Sequence, residues 1–179
     1  MEIGYTIPLQ KYLRTGALSY GTVSDRRFLW DAHVISLYGA ASLLLVHCSS
    51  RYTIVLYSPS LAAWQDIDAL AVNAIQQSLL AEGFPSAVVS GYLTACDAAH
   101  PVRTRTHGRR EVAFLNRAWE YVTASDALTD RQAELQDALR IHVNDEICHC
   151  AGYDGYGTPR QRLHADLHPF YCDNQGAAL

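Results

Sequence analysis

The segment 41–57 decides the fold, and it reads ASLLLVHCSSRYTIVLY. The apolar run over 41–48 has the length and composition of a central strand that is covered on both faces. Ser49 and Ser50 supply a turn, and 51–57 is rich in the β-branched and aromatic residues of a second strand. Residues 28–38 alternate in the manner of an earlier strand until Gly39 ends the pattern. Three strands joined by short turns predict an antiparallel meander.

The rest of the chain adds one early strand and several helices. Alternation over 3–9 predicts the strand, and helical patterns lie at 61–82, just after Pro85, at 111–122 and at 129–143, the last opened by a capping box at Thr129. After Ala151 the composition predicts an irregular tail that docks through Leu163 and Leu167. The economical arrangement is an α+β fold, in which about four helices form one layer on a mostly antiparallel sheet.

Length and composition limit the class of protein. A chain of 179 residues fits one domain, with a compact core over about 1–150 and a docking tail at 151–179. The 49% hydrophobic content excludes a disordered chain, and the net charge of −4 does not indicate a nucleic-acid binder. No signal peptide or membrane-spanning segment is evident, and five cysteines without a secretion signal predict reduced thiols in the cytoplasm.

The order of motifs resembles a bacterial family classified as a domain of unknown function. The resemblance rests on the strand that starts at Ser50 and reads SRYTIVLY, on THGR starting at Thr106, and on the pair Leu115-Asn116. A Trp-His-Ala-Asn segment of the family is replaced here by WDAH, starting at Trp30. The resemblance spans about residues 3–167. It implies a single domain and no particular chemistry.

A basic stretch before the 111–122 helix predicts an anion site. A helix N-terminus attracts phosphate or carboxylate groups, and guanidinium groups bind them through two parallel hydrogen bonds. The candidate residues are Arg103, Arg105, Thr106, His107, Gly108, Arg109 and Arg110. The alternative is an exposed loop whose charges pair with Glu111, Glu120 or water.

Two further sets of residues suggest catalysis. Asp31 and His33 share one face of a strand, so either this pair or His107 would act as a general base. The alternative is a polar pair on the solvated side of the sheet. His47 and Cys48 are adjacent on a strand, face opposite sides and therefore do not form a catalytic pair.

The C-terminal region concentrates metal-ligand types without a zinc spacing. Weak candidates are His142, Cys148 and Cys150, with His164, His168 and Cys172 downstream. Buried thiols with surface histidines are the simpler interpretation, so we predict no metal and no cofactor.

The favoured function is a binding or accessory module for an anion. Its partner would be a small anionic molecule, a nucleic-acid backbone, an acidic protein surface or a second copy of the chain. The alternative is a small enzyme that uses a His/Asp general base on a phosphorylated or acidic small molecule.

Overall fold

A computed structural model describes residues 1–150 and 152–172. Five strands of this part form one sheet in the order β4-β3-β2-β1-β5. They are β1 (Glu2–Tyr5), β2 (Leu29–Leu37), β3 (Ala40–His47), β4 (Thr53–Leu56) and β5 (Val102–Arg105). A separate antiparallel pair consists of β6 (Cys148–His149) and β7 (Tyr156–Gly157).

The helices of the described chain lie before, between and after these strands. They are α1 (Ile7–Leu13), α2 (Leu61–Gln65), α3 (Ile67–Ala81), α4 (Ser86–Ala95), α5 (Arg109–Ala124), α6 (Asp137–Asn144), α7 (Pro159–Leu167) and α8 (Pro169–Cys172). Within the described ranges, none of them is long and apolar enough to cross a membrane. The α+β class is confirmed.

The sheet is mixed because β1 lies between β2 and β5 and is parallel to both. The predicted meander is confirmed, since β2, β3 and β4 pair antiparallel. β1 pairs parallel to β2 on one side and to β5 on the other. Parallel neighbours need a crossover connection, and α1 lies in the connection from β1 to β2. This insertion places the C-terminal ends of β1, β2 and β5 at the same edge.

Helices cover both faces of the sheet, which differs from the single layer expected. Leu43 and Leu45 of β3 belong to a core shared with α1, α2, α3, α4, α7 and α8. Leu44 and Val46 belong to a second core, shared with α5 and α6. Successive strand residues point to opposite faces, so the apolar run over 41–48 already required two covered faces.

The first strand is shorter than its alternation predicts. β1 ends at Tyr5, and Thr6 caps α1 by accepting a hydrogen bond from Leu9 N at 3.4 Å. Pro8 lies in the first turn of α1, where the missing N–H has no cost. The predicted 61–82 helix is likewise divided at Asp66 into α2 and α3.

The predicted helix over 129–143 begins only at Asp137. The Gln136 side chain accepts from Asp130 N at 2.7 Å and donates to Asp130 O at 2.8 Å, which holds 130–136 in a loop. Gln136 N donates to Val55 O at 3.0 Å, and Tyr57 N donates to Glu134 O at 2.7 Å. Pairing with the exposed edge of β4 therefore outweighs the capping signal at Thr129.

The C-terminal region is helical where irregular chain was expected. Thr158 and Gln161 form a capping box, and Pro159 occupies the first turn of α7. The expected docking of Leu163 and Leu167 is confirmed, since both are fully buried in the larger core.

We expect Leu163→Ala to lower the free energy of unfolding by about 2–5 kcal/mol, because it leaves a cavity beneath α7. The matched control is Leu61→Ala, whose side chain is 76% exposed and should change stability by less than about 0.5 kcal/mol. Urea denaturation of both variants measures the difference. Equal stability would contradict the docking of α7 into the core.

Candidate functional site

A buried polar cluster lies beneath the first turn of α5. Its members are Glu2 on β1, Asp31 on β2, Cys48 after β3, His107 after β5 and Glu111 on α5. All except His107 are at most 4% exposed, and the His107 side chain is 7% exposed. Strand alternation places these residues on the same sheet face as the α5–α6 core. That face is therefore apolar at one end and strongly polar at the other.

His107 lies between two carboxylates. Its Nδ1 is 2.7 Å from Asp31 Oδ1, and its backbone N donates to the same oxygen at 3.3 Å. On the other side of the ring, Nε2 is 3.5 Å from Glu2 Oε2 and 3.4 Å from Thr104 Oγ1. Asp31 Oδ2 and Glu2 Oε2 have no hydrogen-bond partner in the described chain. These two oxygens remain available to a proton, a ligand or a cation.

The two carboxylates have pKa values displaced in opposite directions. Burial raises the pKa of Asp31 by more than the hydrogen bond and charge of His107 lower it. Burial also acts to raise the pKa of Glu2, but hydrogen bonds from Thr22 N and Val23 N, together with His107, lower it overall. Glu2 Oε1 accepts those amide hydrogen bonds at 2.7 and 3.0 Å. Such a separation of pKa values is characteristic of acid–base sites.

Gly4 permits the contact between Asp31 and His107. It lies in the sheet between Asp31 of β2 and Thr104 of β5. A Cβ atom at Gly4 would be 2.1 Å from Asp31 Oδ1 and 2.9 Å from His107 Nδ1. Neither Gly4 nor Glu2 stands out in the sequence, because within a short strand both look like ordinary alternating positions.

A cavity of about 320 Å³ borders the cluster on the Glu2 side of the imidazole. The loop before β2 and the turn between β5 and α5 line it. Its lining includes Glu2, Tyr20, Gly21, Arg26, Thr106, His107 and Gly108. Arg26 brings a positive charge to the wall and forms an ion pair with Glu111 at 3.0 Å. The volume is large enough for a small polar molecule.

Cys48 adds a metal-ligand type to the cluster. Ligand atoms of Asp31, Cys48 and His107 lie within 4.8 Å of one another, and the described chain contains no other group of this kind. Cys48 Sγ is 3.6 Å from His107 Nδ1. Burial, followed by the charges of Asp31 and Glu111, raises the pKa of the Cys48 thiol. As predicted, the adjacent His47 faces the other way, where it contacts Ser50 and Arg27 O.

The predicted pair Asp31–His33 is divided between two partners. Asp31 contacts His107, whereas His33 Nδ1 lies 2.8 Å from Thr6 Oγ1. The alternative of a solvated polar pair is wrong, since α5 covers this face and both residues are buried. Burial lowers the pKa of His33. Asp31, from the predicted Asp31–His33 pair, therefore contacts His107, which was the other candidate for the general base.

The residues of the predicted anion site lie in different places. Arg103 Nε contacts Asp68 Oδ2 at 2.7 Å, and Arg105 Nε donates to Leu18 O at 2.8 Å. Arg109 and Arg110 are exposed at the start of α5. Thr106, His107 and Gly108 line the cavity. Anion binding by this segment stays a prediction. Its arginines do not share a common contact.

Among the weak metal candidates of the C-terminal region, two thiols lie together and the histidine lies elsewhere. His142 is exposed on α6. Cys148 and Cys150 are buried, with their sulfur atoms 3.9 Å apart. The described residues bring no third ligand type close enough to these two thiols for a metal group. The side chain of Cys172 lies outside the described part of the chain.

Comparison with known families agrees with the resemblance seen in the sequence. The model of a family described as a domain of unknown function (DUF6933) matches residues 2–162, so the chain belongs to this family. The match includes all members of the buried cluster. No curated protein matches the chain.

We expect Gly4→Ala to separate Asp31 from His107 and to cost about 1–3 kcal/mol of stability, since the added methyl group overpacks the cluster. Gly16→Ala is the matched control, because a Cβ there meets no atom within 4 Å. Thermal unfolding measures the cost, and the NMR resonances of the His107 ring report the separation. Unchanged resonances in Gly4→Ala would contradict the close approach.

Proposed function

We propose that this member of the family is a small enzyme in which His107 performs general acid–base catalysis, with Asp31 positioning the ring and Glu2 stabilising its protonated form. One observation carries the proposal. His107 Nδ1 lies 2.7 Å from Oδ1 of the buried Asp31, and Nε2 of the same ring lies beside Glu2 at the wall of a cavity. This arrangement supports proton transfer to or from a molecule in that cavity.

Asp31 is the residue that orients the imidazole. A carboxylate that binds Nδ1–H fixes the tautomer and directs Nε2 towards the reacting molecule. The backbone N–H of His107 binds the same oxygen at 3.3 Å and further restricts the ring. Asp31 is 1% exposed, so its interaction with the ring is only weakly screened by water. In this proposal Asp31 positions His107 and does not itself meet the substrate.

Glu2 places a carboxylate charge beside His107 Nε2 at the cavity. Its Oε1 is occupied by the amides of Thr22 and Val23, which fix the carboxylate, whereas Oε2 faces His107 Nε2. A proton taken up at Nε2 is therefore stabilised by a charged neighbour. Gly21 makes this approach possible, since a Cβ at Gly21 would be 2.0 Å from Glu2 Oε2.

Arg26 and the start of α5 favour an acidic or phosphorylated substrate. The Arg26 side chain is 42% exposed at the cavity wall, so its charge can meet a ligand while it also pairs with Glu111. Thr106 and Gly108, from the predicted anion segment, line the same cavity. The cysteine usage predicts the cytoplasm as the compartment, and this reducing compartment would keep Cys48 as a thiol.

Turnover of a panel of phosphorylated and acidic small molecules tests the catalytic roles. We expect His107→Gln to lower kcat by about 10²–10⁴-fold, because a general acid–base group contributes that much. The matched control is His100→Gln, whose side chain is 83% exposed and should keep full activity. Wild-type rates in His107→Gln would end the proposal.

The tautomer of His107 gives a test that needs no substrate. In the wild type we expect the neutral ring to carry its proton on Nδ1 and to leave Nε2 free, which nitrogen-15 NMR of the ring distinguishes. Asp31→Asn should alter the tautomer while the protein remains folded. A neutral ring with Nε2 protonated and Nδ1 free would contradict the role of Asp31.

A divalent metal centre is the second candidate, and the position of Cys48 favours it. Zinc bonds of about 2.3 Å to sulfur and about 2.0 Å to nitrogen imply a tetrahedral ligand separation of about 3.5 Å. Cys48 Sγ and His107 Nδ1 are 3.6 Å apart. Asp31 would be the third ligand, and Glu2 would bind the outer ring nitrogen, as carboxylates commonly do behind a metal-bound histidine.

Cobalt(II) titration of the purified protein separates the two candidates. A metal centre predicts equimolar binding with a thiolate-to-cobalt absorption band, which Cys48→Ser abolishes and the control Cys96→Ser retains. Binding releases the thiol proton, so the affinity should rise about tenfold per pH unit below the pKa of the thiol. The absence of the band would remove the metal candidate and leave the acid–base proposal standing.

A further inference from the structure

Two buried thiols lie close together at the β6–β7 hairpin. This part of the sequence contributes no residue to the polar cluster. Cys148 and Cys150 point to the same side of an extended segment, with their sulfur atoms 3.9 Å apart. They are 8% and 0% exposed, whereas His149 between them is exposed. Cys150 Sγ also donates to Ser50 O at 3.7 Å, which fixes the pair against the turn after β3.

Arg162 of α7 is a buried cation that faces this pair. It is 4% exposed, and its Nη1 lies 3.6 Å from Cys148 Sγ while Nη2 donates to Gly155 O at 3.0 Å. Over the described ranges, no carboxylate lies within ion-pair distance of Arg162. A buried charge without a counter-charge is costly, so the position of Arg162 calls for an anion. The Cys148 sulfur is the group placed to provide it.

The two thiols are not equivalent. The hydrogen bond from Cys150, and then the charges of Arg51 and Arg162, lower the pKa of Cys148 in spite of its burial. The same hydrogen bond and burial raise the pKa of Cys150. Arg162 Nη1 lies 3.6 Å from Cys148 Sγ, so the cation stabilises a thiolate on Cys148, and Cys150 lies beside it as the second thiol.

We propose that Cys148 and Cys150 form a dithiol that reduces a hydroperoxide and closes to a reversible disulfide. The Cys148 thiolate attacks one peroxide oxygen, so an S–O bond forms, the O–O bond breaks, and the leaving oxygen departs as water or an alcohol after it takes a proton. Cys150 then attacks the Cys148 sulfur. An S–S bond forms, the S–O bond breaks, and the hydroxyl leaves as water with the Cys150 proton. The two thiols are oxidised and the peroxide is reduced.

The space beside Cys148 selects the smallest hydroperoxide. A cleft of about 10 Å³, bordered by Arg51, Ala118, Val143 and Pro159, reaches the sulfur. That is close to the lower limit for holding one water-sized molecule. Any hydroperoxide therefore has to displace lining side chains to reach Cys148. Hydrogen peroxide is the smallest and needs the least displacement, so it is the expected oxidant, and bulky alkyl hydroperoxides should react slowly.

Closure of the disulfide requires only a local adjustment. Residues two apart on a strand have Cα atoms about 6.4–6.8 Å apart, which lies at the upper end of the disulfide range. The sulfur atoms have to approach from 3.9 Å to about 2.0 Å. A short hairpin of two-residue strands can absorb this movement more easily than the central sheet.

Peptide mapping of the whole folded protein after one equivalent of hydrogen peroxide tests the proposal. Trypsin releases residues 141–160, which contain both thiols and no other cysteine. We expect this peptide to become lighter by two hydrogen atoms and to regain its mass after reduction. Cys96, a buried lone thiol, is the internal control and should stay unmodified.

Variants assign the two roles and the role of the cation. Cys150→Ser should stop at a sulfenic acid on Cys148 that dimedone traps, and Cys148→Ser should give neither product. Arg162→Gln should slow the reaction at least about tenfold, whereas Arg162→Lys should largely restore it. An unchanged rate in a folded Arg162→Gln, trapping at Cys150 instead, or equal oxidation of Cys96 would overturn the proposal. None of these outcomes depends on the His107 site.

Discussion

The structure depends on how it buries three carboxylates next to one imidazole. Glu2, Asp31 and Glu111 are each at most 4% exposed, and an isolated buried carboxylate would be strongly unfavourable. Glu2 is offset by loop amides, Asp31 by His107, and Glu111 by Arg26. The partners come from the loop before β2 and from the turn after β5, so the polar end of the sheet forms only when this loop, the parallel strands and α5 are all in place.

Much of the fold was readable in the sequence. The apolar run over 41–48 correctly predicted a central strand covered on both faces, and the meander and α5 followed from simple periodicity. The signals for α1 and α7 were also present, in Thr6 followed by Pro8 and in Thr158 followed by Pro159. The apparent alternation over 3–9 hid the signal for α1, and the glycine-rich composition after Ala151 hid the signal for α7. The loop at 130–136 was not predictable, because it depends on an edge strand distant in sequence.

The candidate site was only half predictable. His107 and Asp31 could be selected by residue type, but their pairing depends on the parallel register of β1, which places Gly4 between β2 and β5. No local pattern reports that register. Glu2 carried no signal at all, since its role arises from loop amides 20 residues further along. The arginines drew attention by their number, yet two of them serve contacts outside the cavity.

The division of one sheet face into an apolar end and a polar end separates two kinds of constraint. The apolar end, under α5 and α6, supplies the contacts that keep the helices attached. The polar end holds three carboxylates beside one arginine and one imidazole, and it contributes little apolar packing. Directed evolution at Glu2 or Asp31 would therefore have to change charge partners together, because a single substitution leaves a buried group uncompensated. Libraries aimed at Leu115 or Val122 would mostly return unfolded chains.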